Sequence, residues 1–561
     1  MIFSKLFKKT ICFVTALFIA ALSGCADVAD TENPDDTIPV YTLPPIVKED
    51  VPAAGGELTF PIPQNPASLN PLKTKNVGLY NLFSLIYEAP IRVDTNGYVQ
   101  PELAETWEVD ETGLIWTFKL REGVNWQHGY GELTSADIIY TALLLKSYTA
   151  KDSNYAYRNG NVASLEAADK YTVKLTLNKP GNAAVYYMTF PVLCRAYCVT
   201  ANVDTARPVG TGPYYVESFN MMESVKLCAN ETWWKQQPYI KSLNAICYPN
   251  HDFELAAYKQ NLIDFLTTSI LTVDTYHKYG EKHYVDYLTM YYDCLVPNTR
   301  GLFADANLRV AVAHSLDKRD IVAKGLLGHA VVTDYPVSPD SFLSPGPSKI
   351  FEFNQQKAIE LLELSGYKRA GSYPIAKRTE GDQTYDLSFE LLICSNEPYC
   401  RVVAENIAAQ LLQCGMDVKI VEADAKEHKS RLAAGNFDIA LCSFYLDINP
   451  DISYLVGSGG DINYGKFSDG ELDSLLDNCR RAPDEPSIKQ AYSDMEDRFL
   501  AVMPHIGLYY KTNALLYDSD INISEKFRDR NVFLKIPQWY LYVEGEERNG
   551  NNNNQHSEPD S

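Results

Sequence analysis

LSFELLICSNEPYCRVVAENIAAQLLQCGMDVKIV, residues 387 to 421, decides the fold class. Leu387, Phe389, Leu391 and Ile393 alternate as a strand does, and Val403, Ile407, Leu411 and Leu412 then recur at the spacing of one helix face. Asn396 is placed to cap that helix and Gly415 to end it, after which Asp417 to Val421 reads as a second strand. A strand, a helix and a strand in this order make a crossover over a parallel sheet, so the chain is expected to be α/β.

Toward the N-terminus the pattern becomes richer in hairpins. Trp107 to Val109 and Ile115 to Leu120, joined across Asp110-Glu111-Thr112-Gly113, predict a β-hairpin with Trp116, Phe118 and Leu120 on one face. Thr134 with Asp137 three residues on predicts a helix start, with Ile138, Ala142 and Leu145 as its apolar stripe. At 561 residues the chain exceeds one hydrophobic core, which stops growing near roughly 250 to 300 residues, so at least two lobes are expected. No internal repeat is evident.

Hydrophobic residues at 46% and charged residues at 22% are ordinary globular usage. The formal net charge of -22 opposes nucleic-acid binding, because phosphate backbones reward a basic surface. Lys5, Lys8 and Lys9 followed by the uncharged run from Ile11 to Gly24 predict an export signal over residues 1–24. That signal ends in Leu22-Ser23-Gly24-Cys25, which resembles the bacterial lipobox, so Cys25 is expected to be lipidated and to tether the mature chain to a membrane. Residues 25–54 are acidic, contain prolines and read as a solvated spacer; residues 547–561 read as a low-complexity tail.

Catalytic and cofactor motifs are missing: no GxxxxGK[ST], HExxH, GxSxG, GxGxxG or CxxC occurs. The nine histidines keep no metal-ligand spacing beside carboxylates, so no metal, no cofactor and no catalytic residue is expected. Cys194 with Cys198 and Cys394 with Cys400 match no zinc or redox motif, and whether either pair forms a disulfide is a matter of geometry. Pro208-Val209-Gly210-Thr211-Gly212-Pro213 lacks the lysine and the helix of a phosphate cradle and runs into Tyr214-Tyr215-Val216, so it predicts a tight turn entering a strand.

That run resembles a hallmark of the peptide/nickel family of ABC-importer solute-binding proteins, and other blocks follow in the family's order. Pro101-Glu102-Leu103-Ala104-Glu105-Thr106-Trp107, Trp116 to Val124, Leu133 to Asp137, Asn230-Glu231-Thr232-Trp233-Trp234, Leu308-Arg309-Val310-Ala311 through Leu316-Asp317-Lys318, and Lys357 to Tyr367 are similar to family blocks. The resemblance implies a two-lobed periplasmic-binding-protein-like clamp of the class II type, with an extra subdomain inserted in the first lobe. Its implied division is a first-lobe core at 55–92, 207–296 and 503–546, the insertion at 93–206 and the second lobe at 297–502. The implied hinge passes near Tyr291-Tyr292-Asp293 and Tyr509-Tyr510-Lys511. These blocks read mostly as scaffold, with Gly210 and Gly212 permitting a turn.

The resemblance also implies the site. In the stretch from Ser443 to Leu455, Asp447 falls where peptide binders hold a carboxylate for the ligand's ammonium, and Phe444 where they hold an aromatic. Asp451 is a second carboxylate candidate, Asn463 and Tyr464 fall near a pocket position, and the alternative for Asp447 is an Asx-turn residue beside Pro450. A basic residue carried by some relatives just upstream is absent from Ala440-Leu441-Cys442-Ser443, which leaves room for longer peptides or another solute. The implied function is capture of a small molecule, a peptide, by a monomeric lipoprotein outside the cytoplasm and delivery to an ABC permease. A same-fold binder of a non-peptide solute and a ligand-sensing surface lipoprotein are the alternatives; an enzyme is not expected.

Overall fold

Strands in the second half are apolar on both faces, and two layers of helices cover them. In the computed structural model the strand Ser388–Cys394 pairs in parallel with Asp417–Ala423 and with Ile439–Tyr445. Phe389, Leu391 and Ile393 face one core with Val403, Ile407 and Leu411 of the helix Pro398–Cys414. Leu392 faces the opposite core, with Leu432, Leu476, Met495 and Phe499. The description covers residues 48–544 except 50–51, 64–67, 75, 150–152, 154, 156–159, 221–222, 278–281, 345–350, 372, 524–525, 528 and 530–531. The export signal, Cys25, most of the acidic spacer and the C-terminal tail lie outside it.

The helix at 398–414 begins one residue later than Asn396 would place it. Glu397 is its N-cap, without a side-chain bond, and Pro398 opens the first turn, where a missing N–H costs nothing. The Asn396 amide oxygen instead accepts from Ala425 N at 2.7 Å. Gly415 ends the helix in the left-handed region, at φ 101°.

The first lobe carries a sheet in the order Glu57–Pro63, Ser242–Tyr248, Ser224–Ala229, Tyr214–Asn220. Leu58, Phe60 and Ile62 are buried, and Phe60 stacks on Phe265 at 5.1 Å and meets Phe533 edge-on at 4.9 Å. The inserted subdomain has its own antiparallel sheet, in the order Ala104–Val109, Ile115–Leu120, Thr172–Leu177, Val162–Asp169. Trp116, Phe118 and Leu120 point inward, and the helix Ser135–Ser147 starts with a Thr134–Asp137 capping box. All ten described cysteines are free, so neither Cys194 with Cys198 nor Cys394 with Cys400 is bridged.

Gly210 and Gly212 are required by closeness, not by a left-handed φ. A Cβ on Gly210 would lie 1.8 Å from the Ile86 carbonyl oxygen, and one on Gly212 would lie 2.7 Å from the same atom. Gln127 holds this turn, donating to Gly212 O at 3.2 Å and Tyr214 O at 2.8 Å and accepting from Gly210 N at 3.0 Å.

Two long strands, Lys282–Pro297 and Ile506–Asp518, join the lobes. At one end Ile506–Asp518 pairs with Phe265–Thr268; at the other Lys282–Pro297 pairs with Ile439–Tyr445. Their mutual register breaks midway: Leu288 faces Thr512, yet Tyr292 faces Tyr510, so the first strand carries a bulge at Thr289-Met290-Tyr291. Thr289 stitches the bulge, its hydroxyl donating to Lys511 O at 2.9 Å and accepting from Tyr291 N at 3.2 Å. Just beyond it, Asp293 is buried with Lys511 Nζ 3.9 Å away.

Gly210→Ala forces backbone atoms apart and is expected to destabilise the protein by about 3 kcal/mol or more, read from the midpoint of urea unfolding. Asp293 supplies a pH signature: burial pushes its carboxyl up to about 6, with Lys511 opposing. A folded-state value above the unfolded one, about 3.9, means that the protonated form favours the fold and that this contribution is lost as pH rises through 6. Measured by urea unfolding, wild-type stability relative to Asp293→Asn should fall by about 3 kcal/mol between roughly pH 4 and 6 and stay level above that.

Candidate ligand-binding cleft

The bulge aims Met290 into a cavity of about 530 Å³, whose walls come from the first lobe, the inserted subdomain and the second lobe. The first-lobe wall grows out of the strand Ser224–Ala229. Asn230 turns the chain there, donating from its amide to Gly212 O at 3.0 Å and accepting from the Thr232 hydroxyl at 2.9 Å. The next residues, Trp233, Trp234 and Lys235, line the cavity.

Both indoles donate to one carboxylate, Glu88, at 3.2 Å from Trp233 Nε1 and 2.8 Å from Trp234 Nε1. Lys235 Nζ pairs with Glu88 at 3.1 Å and with Glu102, which also pairs with Arg92 Nε at 3.1 Å. The Glu88 and Glu102 side chains are only 5% and 4% exposed, and each is paired with a cation, as a buried carboxylate requires. The Lys235 ammonium lies 4.5 Å from the centre of the Trp234 ring, and burial lowers its pKa against the pull of Glu88. Two carboxylates and two cations balance, and this part of the wall is electrically neutral.

The second lobe contributes Asp447 and Ile448 from the loop after the strand Ile439–Tyr445. The Met290 carbonyl accepts from Leu446 N at 2.9 Å, so the bulge between the lobes also fixes the root of this loop. Asp447 Oδ1 accepts from the neighbouring Ile448 N at 2.7 Å, and among the described residues no cation pairs with it. Asp447 thus faces the cavity as a carboxylate with unused acceptor capacity.

The other residues singled out in the sequence lie elsewhere. Phe444 belongs to the second-lobe core, its ring parallel to buried His505 at 5.7 Å and to Tyr464 at 6.4 Å. Burial holds His505 down to about 3, so this stack is uncharged. Asn463 is buried and shapes its own loop, donating to Gly457 O at 2.9 Å and Phe467 O at 2.8 Å and accepting from Phe467 N. Asp451 shares a small side cavity of about 40 Å³ with Asp447, but its carboxylate accepts from Ser453 N at 2.9 Å in an Asx turn.

Residues missed in the sequence are the wall itself: Glu88, Arg92, Glu102, Arg121, Trp233, Trp234 and Lys235. Glu102, Arg121 and the tryptophan pair lay inside the family-like blocks read as scaffold; Glu88 and Arg92 carried no local signal. The inserted subdomain also touches the second lobe outside the cavity. Tyr98 stacks on Phe342 at 4.3 Å, and Asn182 donates to Cys479 O and Arg480 O, both at 2.8 Å, at the end of the helix Gly470–Arg481.

Two lobes joined by crossing strands, with a cavity walled by both, define a solute-binding clamp. The family described as bacterial extracellular solute-binding proteins, family 5 Middle, matches residues 98–465, and the chain belongs to that family. It is a binding protein and not an enzyme. The chain is 24% identical over 517 residues to the oligopeptide-binding protein AppA of Bacillus subtilis, covering 87% of this chain and 92% of that one. It is 24% identical over 400 residues to the nickel-binding periplasmic protein of Escherichia coli, covering 69% and 74%. The solved structure of AppA in complex with a nonapeptide is similar at a TM-score of 0.63 and 22% identity, covering 88% of this chain and 100% of that one.

Glu102→Gln removes one of the two carboxylates that hold Lys235 and takes away the Arg92–Glu102 ion pair. A loss of about 3 kcal/mol is expected by urea unfolding, since removing one member of a buried ion-pair network unbalances its charge.

Proposed function

We propose that this chain is the extracytoplasmic binding component of an ABC importer, that its solute is a peptide, and that lobe closure presents the loaded form to the permease. Asp447 carries the reading. It brings a carboxylate that no described cation pairs with from the second lobe to a cavity whose facing wall sets Trp233 and Trp234 beside the ion pairs of Glu88 and Glu102 with Lys235 and Arg92. A ligand with an ammonium at one end and variable side chains fits both surfaces: the charge is met by a charge-assisted hydrogen bond, and the body packs on Trp233 and Trp234. A ligand that contacts both lobes favours the closed arrangement by its differential affinity. Relatives named for oligopeptides support the peptide class, and the nickel-binding relative supplies the competing solute.

The remaining parts of the proposal rest on sequence. Cys25 carries the lipid, residues 26–54 space the body from the membrane, and the mature protein acts as a monomer at the outer face of the membrane or in the periplasm. The lobes divide as 55–92, 207–296 and 503–546 against 297–502, with 93–206 inserted.

Calorimetric titration with defined tri- to hexapeptides tests the reading, with Asp447→Asn as the control. A charge-assisted bond contributes about 1.5 to 3 kcal/mol, so the variant should bind roughly 10- to 100-fold more weakly while unfolding at the wild-type midpoint. A folded variant with unchanged affinity, or a wild-type protein that binds nickel but no peptide, contradicts it.

A further inference from the structure

Two sets of hydrogen bonds join the inserted subdomain to the second lobe outside the main cavity. In the first, Asp94 folds its own turn: its carboxylate accepts from Asn96 N at 2.9 Å, Tyr98 N at 3.0 Å and the Gln100 amide at 2.8 Å. The turn presents Asn96 to the other lobe in a fixed orientation. Asn96 O accepts from Phe342 N at 2.8 Å, and the Asn96 amide donates to Asp340 O at 3.0 Å. Tyr98 stacks on the Phe342 ring with the planes 21° apart, and Lys489 Nζ donates to the Tyr98 hydroxyl at 3.4 Å.

In the second set, Asn182 caps a helix that belongs to the other lobe. The last carbonyls of a helix have no donor within it. Asn182 supplies donors across the seam, from its N–H to Arg480 O at 2.8 Å and from its amide to Cys479 O at 2.8 Å and Ala482 O at 3.3 Å, at the end of the helix Gly470–Arg481. Arg480 in turn lies 3.9 Å from the Asp451 carboxylate, in the loop that begins at Asp447. The side cavity of about 40 Å³ is walled by Gly97, beside the first set, and by Tyr186, close after Asn182; it shares Met290, Asp447 and Ile448 with the main cavity. The seam therefore borders the cleft, while Asn96, Tyr98 and Asn182 stand outside the main cavity.

We infer that the inserted subdomain is a latch: its two contacts with the second lobe hold the clamp shut before any solute arrives. The inference rests on lobe closure as read above and not on the identity of the solute. On opening, these groups exchange their partners for water, so each hydrogen bond shifts the ratio of closed to open molecules by about fivefold. A contact that favours the closed state tightens every solute by the same factor. The latch sets how strongly the clamp holds, and the cavity residues set what it holds.

Two amides cross the seam, Phe342 N–H to Asn96 O and Asn182 N–H to Arg480 O, and each reports on the other contact. Hydrogen–deuterium exchange of the solute-free full chain, read by mass spectrometry at single residues, tests the inference. In the wild type both amides are expected to be protected and to exchange at one common rate, faster than the amides of the core strand Ser388–Cys394. Asn182→Ala should speed exchange at Phe342 by about fivefold, and Tyr98→Ala should speed it at Asn182 by about as much. If either substitution speeds only its own contact, or if the wild-type seam amides are unprotected, the latch is overturned and closure around a solute survives. If the seam amides exchange no faster than the core strand in all three proteins, the lobes do not part, and the closure reading falls with the latch.

Discussion

The hydrogen bond from Leu446 N to the Met290 carbonyl is the contact on which the site depends. Met290 sits in a bulge that exists because one crossing strand has more residues than its partner between Leu288 and Tyr292. Without that irregularity the strand would keep its alternation, and Met290 and the carbonyl that anchors the Asp447 loop would change direction together. One irregular turn of backbone therefore joins the lobes, puts a side chain in the cavity and sets the position of the carboxylate opposite the tryptophan wall. Thr289 satisfies the backbone groups the bulge frees, so the irregularity costs no buried unpaired amide at Tyr291.

Charge is distributed with an asymmetry that explains why both lobes are needed. On the first-lobe side, Glu88 and Glu102 are nearly fully buried and hold Lys235 and Arg92, so these four charges answer one another and the tryptophan rings offer faces and shape. On the second-lobe side, no described cation pairs with Asp447. Burying an ammonium against the wall alone would leave it without an anion; Asp447 alone would leave the rest of the ligand in water. Neither surface suffices, and a solute that satisfies both draws them together.

Much of the scaffold was legible in the sequence because it follows local rules. The alternation from Leu387 to Ile393, the Thr134–Asp137 capping box and Gly415 as a helix end each report a short-range preference that the structure keeps. Asn396 misled because a proline at 398 takes over the helix start. Phe444 misled for a deeper reason: Ala440, Cys442 and Phe444 share one core while Ile439 and Leu441 share the other, so an aromatic on this strand packs inward as readily as it faces a ligand. Gly210 and Gly212 were legible as special positions, but the cause is the Ile86 carbonyl, a residue far away in the chain. The tryptophan wall was hidden by the same distance, since Glu88, Glu102 and Lys235 converge only when three separate segments meet.

On the proposed function, a peptide fills the cleft between Asp447 and the tryptophan wall. Native mass spectrometry of the purified protein, with gas-phase release of whatever travels with it, tests that most directly. A heterogeneous set of masses that fragment as peptides is the predicted result. A single non-peptide mass, or a metal ion alone, would contradict it.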